Sequence, residues 1–96
     1  MAREVIWTQP AGDDLDAAAQ YVARDSEFYA AAFVQDVKAA AESLVEMAER
    51  GQVVPEFRDP SIRELLVRPY RLVYRILPNR IIILALIHGA RRRWRQ

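Results

Sequence analysis

The first half of the chain carries apolar residues at helical spacing, whereas apolar and polar residues alternate in much of the second half. Residues 3–8 (REVIWT) are rich in β-forming side chains and predict a short first strand. Thr8 is a typical N-cap residue, and apolar residues between 15 and 22 recur on one face of a first helix. Asp13 and Asp14 are expected near the start of that helix, where its dipole favours negative charge.

A second, longer helix is predicted to begin after Ser26, another N-cap residue, and to end at Gly51. Its length would be roughly 24 residues, or roughly 36 Å. One face carries an apolar stripe made of Phe33, Val37, Ala40, Ala41, Leu44 and Ala48. A turn around residues 24–26 would make the two helices an antiparallel hairpin, and their many alanines permit close approach of the helix axes.

Three strands are predicted after a proline-containing loop, at residues 61–67, 70–77 and 81–88. The middle strand alternates, with Tyr70, Leu72, Tyr74 and Ile76 on one face and Arg71, Val73, Arg75 and Leu77 on the other. The last strand is apolar on both faces, which is typical of a strand inside a sheet. The same alternation predicts that His88 shares a face with Ile82, Leu84 and Leu86.

These elements predict an α+β protein of order β-α-α-β-β-β, with the helical hairpin packed on one face of a curved, mainly antiparallel sheet. Residues 1–96 suffice for a single domain. The chain has no cysteine and one histidine, so we expect no disulfide framework, no metal site and no cofactor. No run approaches the roughly 20 apolar residues of a membrane helix, and we expect a soluble cytoplasmic protein.

Charge is divided unevenly along the chain. Residues 1–57 contain four basic and eleven acidic side chains, whereas the remainder contains ten arginines and, as acids, only Asp59 and Glu64. The arginines are therefore expected to find almost no internal acids, with Arg71 and Arg75 on the sheet face away from the helices. Such a basic face attracts phosphate or carboxylate-rich partners.

The order of elements, the strand motif PYRLVYRI and the strand end LIHGARR together resemble RelE/ParE toxins of bacterial type II toxin–antitoxin systems. This class includes plasmid-stabilising ParE-like toxins, and the resemblance spans essentially the whole chain. It implies a growth-inhibiting toxin that is neutralised by a cognate antitoxin. The antitoxin's partly disordered, acidic segment would fold over the toxin in a hetero-oligomeric complex.

The resemblance implies one of two chemistries. ParE-like toxins poison DNA gyrase, whereas RelE-like toxins cleave mRNA in the ribosomal A site. Under the ribonuclease alternative, which needs no metal, Arg71 and Arg91 match the two conserved arginines, and His88 is the acid–base candidate. The RelE lysines are missing, however, and this sequence ends before the position at which RelE-like enzymes carry their C-terminal tyrosine. Trp94 cannot replace that tyrosine, because its side chain does not titrate. We therefore expect a gyrase poison.

Other interpretations of these residues stay open. His88 is expected to cap the sheet through hydrogen bonds in preference to a catalytic role, and Glu56 or Glu64 could supply a carboxylate, although their spacing singles out neither. A third hypothesis keeps the fold without toxicity, as a binding module for an acidic peptide.

Two surfaces are predicted to bind the antitoxin or the target. The first is apolar and consists of Phe28, Tyr29, Val45, Met47 and Val53, which lie outside the predicted core stripe. The second is basic and consists of Arg75, Arg91, Arg92, Arg93, Trp94 and Arg95, with the tryptophan as an anchor.

Overall fold

The computed structural model of the protein describes residues 3–89. Its strands are β1 (Glu4–Trp7), β2 (Gln52–Val53), β3 (Ile62–Val67), β4 (Tyr70–Leu77) and β5 (Arg80–His88), and its helices are α1 (Gln9–Ala23) and α2 (Glu27–Ser43). Single turns of 3-10 helix at Ala48–Arg50 and Pro55–Phe57 flank β2. The predicted α+β class and element order are confirmed. β2 is an addition, because two residues are too few to produce an alternating pattern.

All five strands form one sheet in the order β1-β5-β4-β3-β2. β1 runs parallel to β5, and every other neighbouring pair is antiparallel. β5 therefore lies inside the sheet, as its two apolar faces predicted.

Both predicted helix starts are confirmed by capping hydrogen bonds. The Thr8 hydroxyl accepts from the Ala11 backbone N–H at 3.2 Å, and the Ser26 hydroxyl accepts from the Tyr29 N–H at 3.1 Å. Each bond satisfies a backbone donor that has no partner within its own helix. Asp13 and Asp14 lie beyond the first turn of α1, so the dipole role expected for them is wrong.

The main core lies between the helical hairpin and one face of the sheet. The helices contribute small and medium side chains, among them Leu15, Ala18, Phe33, Val37, Ala41 and Leu44. The strands contribute Leu65, Tyr70, Leu72, Tyr74, Ile81, Ile83 and Leu86. The other side of the sheet, here called the open face, carries only a small apolar cluster of Val54, Ile62 and Val73 with Leu84, Ala85 and Ile87 against it.

α2 is shorter than predicted, since it ends at Ser43 and spans 17 residues rather than running to Gly51. Beyond Ser43 the backbone N–H of Leu44 donates to Ala41, which tightens the last turn. The Tyr74 hydroxyl then donates to the Ala48 carbonyl at 2.7 Å and accepts from the Gly51 N–H at 2.9 Å. These hydrogen bonds from the sheet hold the chain at Ala48 and Gly51, beyond the end of the helix.

A β-bulge changes which residues of β5 face the helices. Val73 pairs with Ala85 and Tyr74 with Ile83, so Leu84 is an extra residue opposite β4. After the bulge the alternation is reversed, and His88 pairs with Tyr70 on the helix-facing side. The prediction that His88 shares a face with Ile82 and Leu84 is therefore wrong, although its grouping with Leu86 is right.

We expect Tyr74→Phe to lower the free energy of unfolding by about 1–3 kcal/mol, because the Ala48 carbonyl and the Gly51 N–H would both lose a buried partner. Burial raises the pKa of Tyr74 above its ordinary value of 10.0. The stabilisation is therefore complete below that value and is lost as pH rises through the folded pKa. Urea unfolding at neutral and alkaline pH measures both effects, with exposed Tyr21→Phe as the control. Equal stability of the Tyr74 and Tyr21 variants would contradict this expectation.

Candidate interaction site

The open face is where β4 presents its arginines, as predicted. Arg71 and Arg75 flank Val73 along the strand, whose other face carries the buried Tyr70, Leu72 and Tyr74. Strand alternation thus places two guanidinium groups on the side of the sheet that the helices leave uncovered.

Arg71 forms an ion pair with Glu64 of the neighbouring strand β3. The Arg71 Nη1 atom lies 3.5 Å from Glu64 Oε2, and the two side chains are 30% and 9% exposed. Glu64 is the one charged residue that is buried among residues 3–89. A buried carboxylate is unfavourable without a cation nearby, and Arg71 is the cation that lies next to Glu64.

Arg75 is paired as well, with Asp59 in the loop before β3. Its Nη2 atom lies 3.4 Å from Asp59 Oδ2, and both side chains are substantially exposed, at 43% and 40%. The hydroxyl and backbone N–H of Ser61 both donate to Asp59. These hydrogen bonds, with a smaller contribution from Arg75, hold the pKa of Asp59 below its ordinary value.

Among residues 3–89, the arginines of the second half thus find few acids of that half, as expected. Asp59 and Glu64 are the only acids after residue 57, and each pairs with an arginine of β4. The sequence could have suggested this, because residues on neighbouring strands of a meander meet across the sheet. Which arginine each acid meets depends on the register.

A pocket of about 230 Å³ lies beside the Arg71–Glu64 pair. Its lining consists of Arg50, Gly51, Gln52, Glu64, Leu65, Leu66 and Arg71. A side chain at Gly51 would place its Cβ 2.6 Å from the Glu64 carbonyl oxygen and 2.7 Å from the Tyr74 hydroxyl, so only glycine fits this approach of the chain to the sheet.

His88 lies on the opposite side of the sheet from Arg71. Its ring is 5.2 Å from that of Tyr70, in an edge-to-face arrangement, and Tyr70 in turn packs on Phe33 at 5.1 Å. A cavity of about 530 Å³ next to it is lined by Asp14, Ala17, Ala18, Tyr21, Tyr70, Leu86 and His88. Arg71 and His88 are thus near neighbours along the paired strands, but their side chains project to opposite faces.

Asp14 has a structural role that the sequence did not reveal. β1 pairs with β5 only as far as Ile83, so β5 has an unpaired edge beyond that point. The Asp14 Oδ2 atom accepts from the Leu86 backbone N–H at 3.0 Å and satisfies one donor of that edge. A carboxylate on α1 thus anchors the helix to the strand that ends at His88.

The predicted apolar surface is divided between separate places. Phe28, at 77% exposure, and Tyr29 lie at the start of α2 with their rings 5.7 Å apart. Met47 is exposed near the other end of the hairpin, and Val53 is exposed on the edge strand β2. Val45 is half-buried rather than exposed, which corrects its place in this surface.

The basic C-terminal segment and the second arginine of the ribonuclease alternative lie outside the described residues: Arg91, Arg92, Arg93, Trp94 and Arg95. Glu56, the other acid considered in the sequence, is exposed in the 3-10 turn after β2. Among residues 3–89, His, Asp and Glu side chains form no group of three that could hold a metal ion. No helix in the same part of the chain is long and apolar enough to cross a membrane.

Comparison with known proteins identifies the class that this fold and site define. Residues 5–93 match the family of the ParE toxin of the type II toxin–antitoxin system parDE. Toxin RelE2 of Caulobacter vibrioides is 34% identical over 89 residues, which are 92% of this chain and 97% of that protein. The protein is thus a toxin of the RelE/ParE type. Within that class, the chain belongs to the ParE toxin family.

Solved structures agree with this assignment. A structure of the chromosomal ParDE toxin–antitoxin system from P. aeruginosa superimposes with a TM-score of 0.73 at 30% identity, covering 91% of this chain and 96% of that one. The toxin–antitoxin complex RelBE2 from Mycobacterium tuberculosis gives a TM-score of 0.66 at 21% identity, covering 92% and 99%. The second likeness supports the fold alone.

We expect Asp14→Ala to lower the free energy of unfolding by about 1–2 kcal/mol, because the Leu86 N–H would lose its acceptor. Asp16→Ala is the matched control, since that carboxylate is exposed on the same helix. Urea unfolding measures the difference, and hydrogen exchange of the Leu86 amide locates it. An Asp14 variant as stable as the Asp16 variant would show that solvent replaces this contact without cost.

Proposed function

We propose that this toxin inhibits growth by poisoning DNA gyrase rather than by cleaving RNA. The observation that carries the proposal is the placement of Arg71 and His88 on opposite faces of the sheet. Gyrase poisoning requires a binding surface but no hydrolytic centre. Since gyrase and the ribosome both work in the cytoplasm, the proposed site of action is cytoplasmic under either mechanism.

Metal-free phosphodiester cleavage has geometric requirements that this arrangement does not favour. A base must remove the 2′-hydroxyl proton, an acid must protonate the leaving oxygen, and cations must stabilise the transition state, all around one phosphate. A phosphate at Arg71 would be separated from the His88 imidazole by the sheet itself. The Arg71 guanidinium is, in addition, already paired with Glu64 at 3.5 Å.

The alternative is a ribosome-dependent mRNA interferase that uses Arg71, His88 and Arg91. The relative from Caulobacter vibrioides is named Toxin RelE2, and this name is the reason to keep the ribonuclease alternative. In that case the ribosome would have to reorganise the end of β5 so that the histidine reaches the open face. A non-toxic module that binds an acidic peptide is a further hypothesis, and it predicts that induced expression leaves growth unaffected.

We expect His88→Gln to retain toxicity, because the histidine packs against Tyr70 instead of acting on a phosphate. A proton-transfer group would contribute roughly 10² to 10⁴ in rate, so its loss from a nuclease would abolish toxicity. Growth after induction, gyrase supercoiling and mRNA cleavage are measured in parallel. Arg80→Gln, a change at the exposed start of β5, is the control.

A folded His88→Gln variant that has lost all toxicity would support the ribonuclease alternative. So would mRNA cleavage by the unaltered toxin together with unimpaired gyrase. Circular dichroism of the purified variant distinguishes either outcome from simple unfolding.

We further propose that a cognate antitoxin covers this toxin at rest. The 30% identical structure from P. aeruginosa is described as a chromosomal ParDE toxin–antitoxin system. The exposed pair Phe28 and Tyr29 supplies apolar contact area, and the predicted basic segment with Trp94 suits a partner rich in Asp and Glu. The proposed antitoxin segment is therefore acidic, with an apolar side chain to meet Trp94.

We expect deletion of residues 91–96 to slow antitoxin association and to flatten its dependence on salt, because four arginines are removed from the attracting charge. The helical surface should preserve part of the affinity. Association rates of full-length and shortened toxin are compared at two ionic strengths. Identical rates and salt slopes would show that the segment only aids solubility.

A further inference from the structure

We propose that Glu64 determines the specificity of the open face: it masks Arg71 and thereby keeps this face from binding the phosphates of single-stranded RNA. The proposal rests on the proposed function and extends it, since it names the residue that makes the open face unsuited to RNA and suited to a protein target. The effect of Glu64 on RNA affinity can be measured whichever target the toxin has.

The two partners of the ion pair differ in how freely they can move. Glu64 is 9% exposed and is fixed within β3, opposite Val73 of β4, whereas Arg71 is 30% exposed. An RNA phosphate that approached the Arg71 guanidinium would have to approach the Glu64 carboxylate as well. Drawing Arg71 away would leave a buried carboxylate without its cation, which is strongly unfavourable. The phosphate is therefore opposed by both repulsion and desolvation.

The hydrogen bonding of the pair indicates that charge, not shape, holds it together. Glu64 Oε1 and Arg71 Nε are both buried and have no hydrogen-bond partner among residues 3–89. The contact thus consists of one 3.5 Å approach rather than a two-point guanidinium–carboxylate bond. Replacing the carboxylate by an amide of the same shape removes the masking charge while the packing is preserved.

The second ion pair of the open face provides a matched control. Asp59 and Arg75 are about as close, at 3.4 Å, but both are exposed to solvent. Water and salt already screen an exposed pair, and Arg75 can leave Asp59 at little cost. Neutralising Asp59 should therefore change RNA binding much less than neutralising Glu64, although each substitution removes one negative charge from the same face.

The test measures the affinity of the full-length toxin for a fluorescein-labelled single-stranded RNA of about ten nucleotides. Fluorescence anisotropy is recorded over a range of salt concentrations. The four variants are Glu64→Gln, Asp59→Asn, Arg71→Gln and the double variant Glu64→Gln/Arg71→Gln. Every protein retains the same C-terminal arginines, so differences between variants report on the open face alone.

For Glu64→Gln we expect affinity to rise about tenfold, through one new charge-assisted phosphate contact. Its salt slope should steepen by about 0.7, the value for one neutralised phosphate on a single strand. The double variant should return to the unaltered affinity for RNA, because Arg71 is already masked in the unaltered protein. Arg71→Gln alone should bind RNA no more tightly than the unaltered protein, since it leaves the Glu64 charge uncompensated. The RNA affinity and salt slope of Asp59→Asn should remain close to those of the unaltered protein.

Three results would overturn the inference. They are an unchanged affinity and salt slope in folded Glu64→Gln, an equal gain in Asp59→Asn, and a large loss of RNA binding in the double variant. If Glu64→Gln fails to fold by circular dichroism, the double variant decides, because it leaves neither partner as an unpaired buried charge. Unchanged RNA binding of the double variant then supports masking, and a loss refutes it. Cleavage of the RNA by the unaltered toxin would instead refute the proposed function.

Discussion

The alternation of β4 is the constraint from which the architecture and the site both follow. Its tyrosines and leucine form the floor of the helical core, and the Tyr74 hydroxyl holds the chain where it leaves α2. The intervening positions place Arg71 and Arg75 on the opposite surface. Successive side chains of a strand point to opposite faces. A shift of β4 by one residue would therefore change the side chains on both surfaces of the sheet.

Electrostatics then determines what the open face can bind. Two arginines on an uncovered sheet would suit phosphate or carboxylate equally. The pairing of Arg71 with a buried acid and of Arg75 with an exposed one makes them unequal, since burial strengthens the first contact and solvent screens the second. The open face is thus less suited to phosphate than its arginine content suggests, which agrees with the proposed action on gyrase rather than on RNA.

Most elements could be predicted because their signals are local. The caps at Thr8 and Ser26, the stripe of α2 and the alternation of β4 all depend on residues within a few positions of one another. The course of the chain after α2 could not be predicted in this way, since it is held by the Tyr74 hydroxyl, 26 positions after Ala48. The acceptor role of Asp14 toward Leu86 was hidden for the same reason, because the two residues meet only through the packing of α1 on β5.

Local sequence patterns were enough to predict the family, the class of fold, the core stripe of the helices and the face of β4 on which the arginines lie. The pairing of each acid with its arginine, and the side of the sheet on which His88 lies, could be seen only in the folded protein. Both depend on strand register, and the bulge at Leu84 reverses the alternation of β5 just before its end. The alternation of a strand can be predicted from its own residues. A bulge depends on how two strands pair, so no local sequence pattern predicts it.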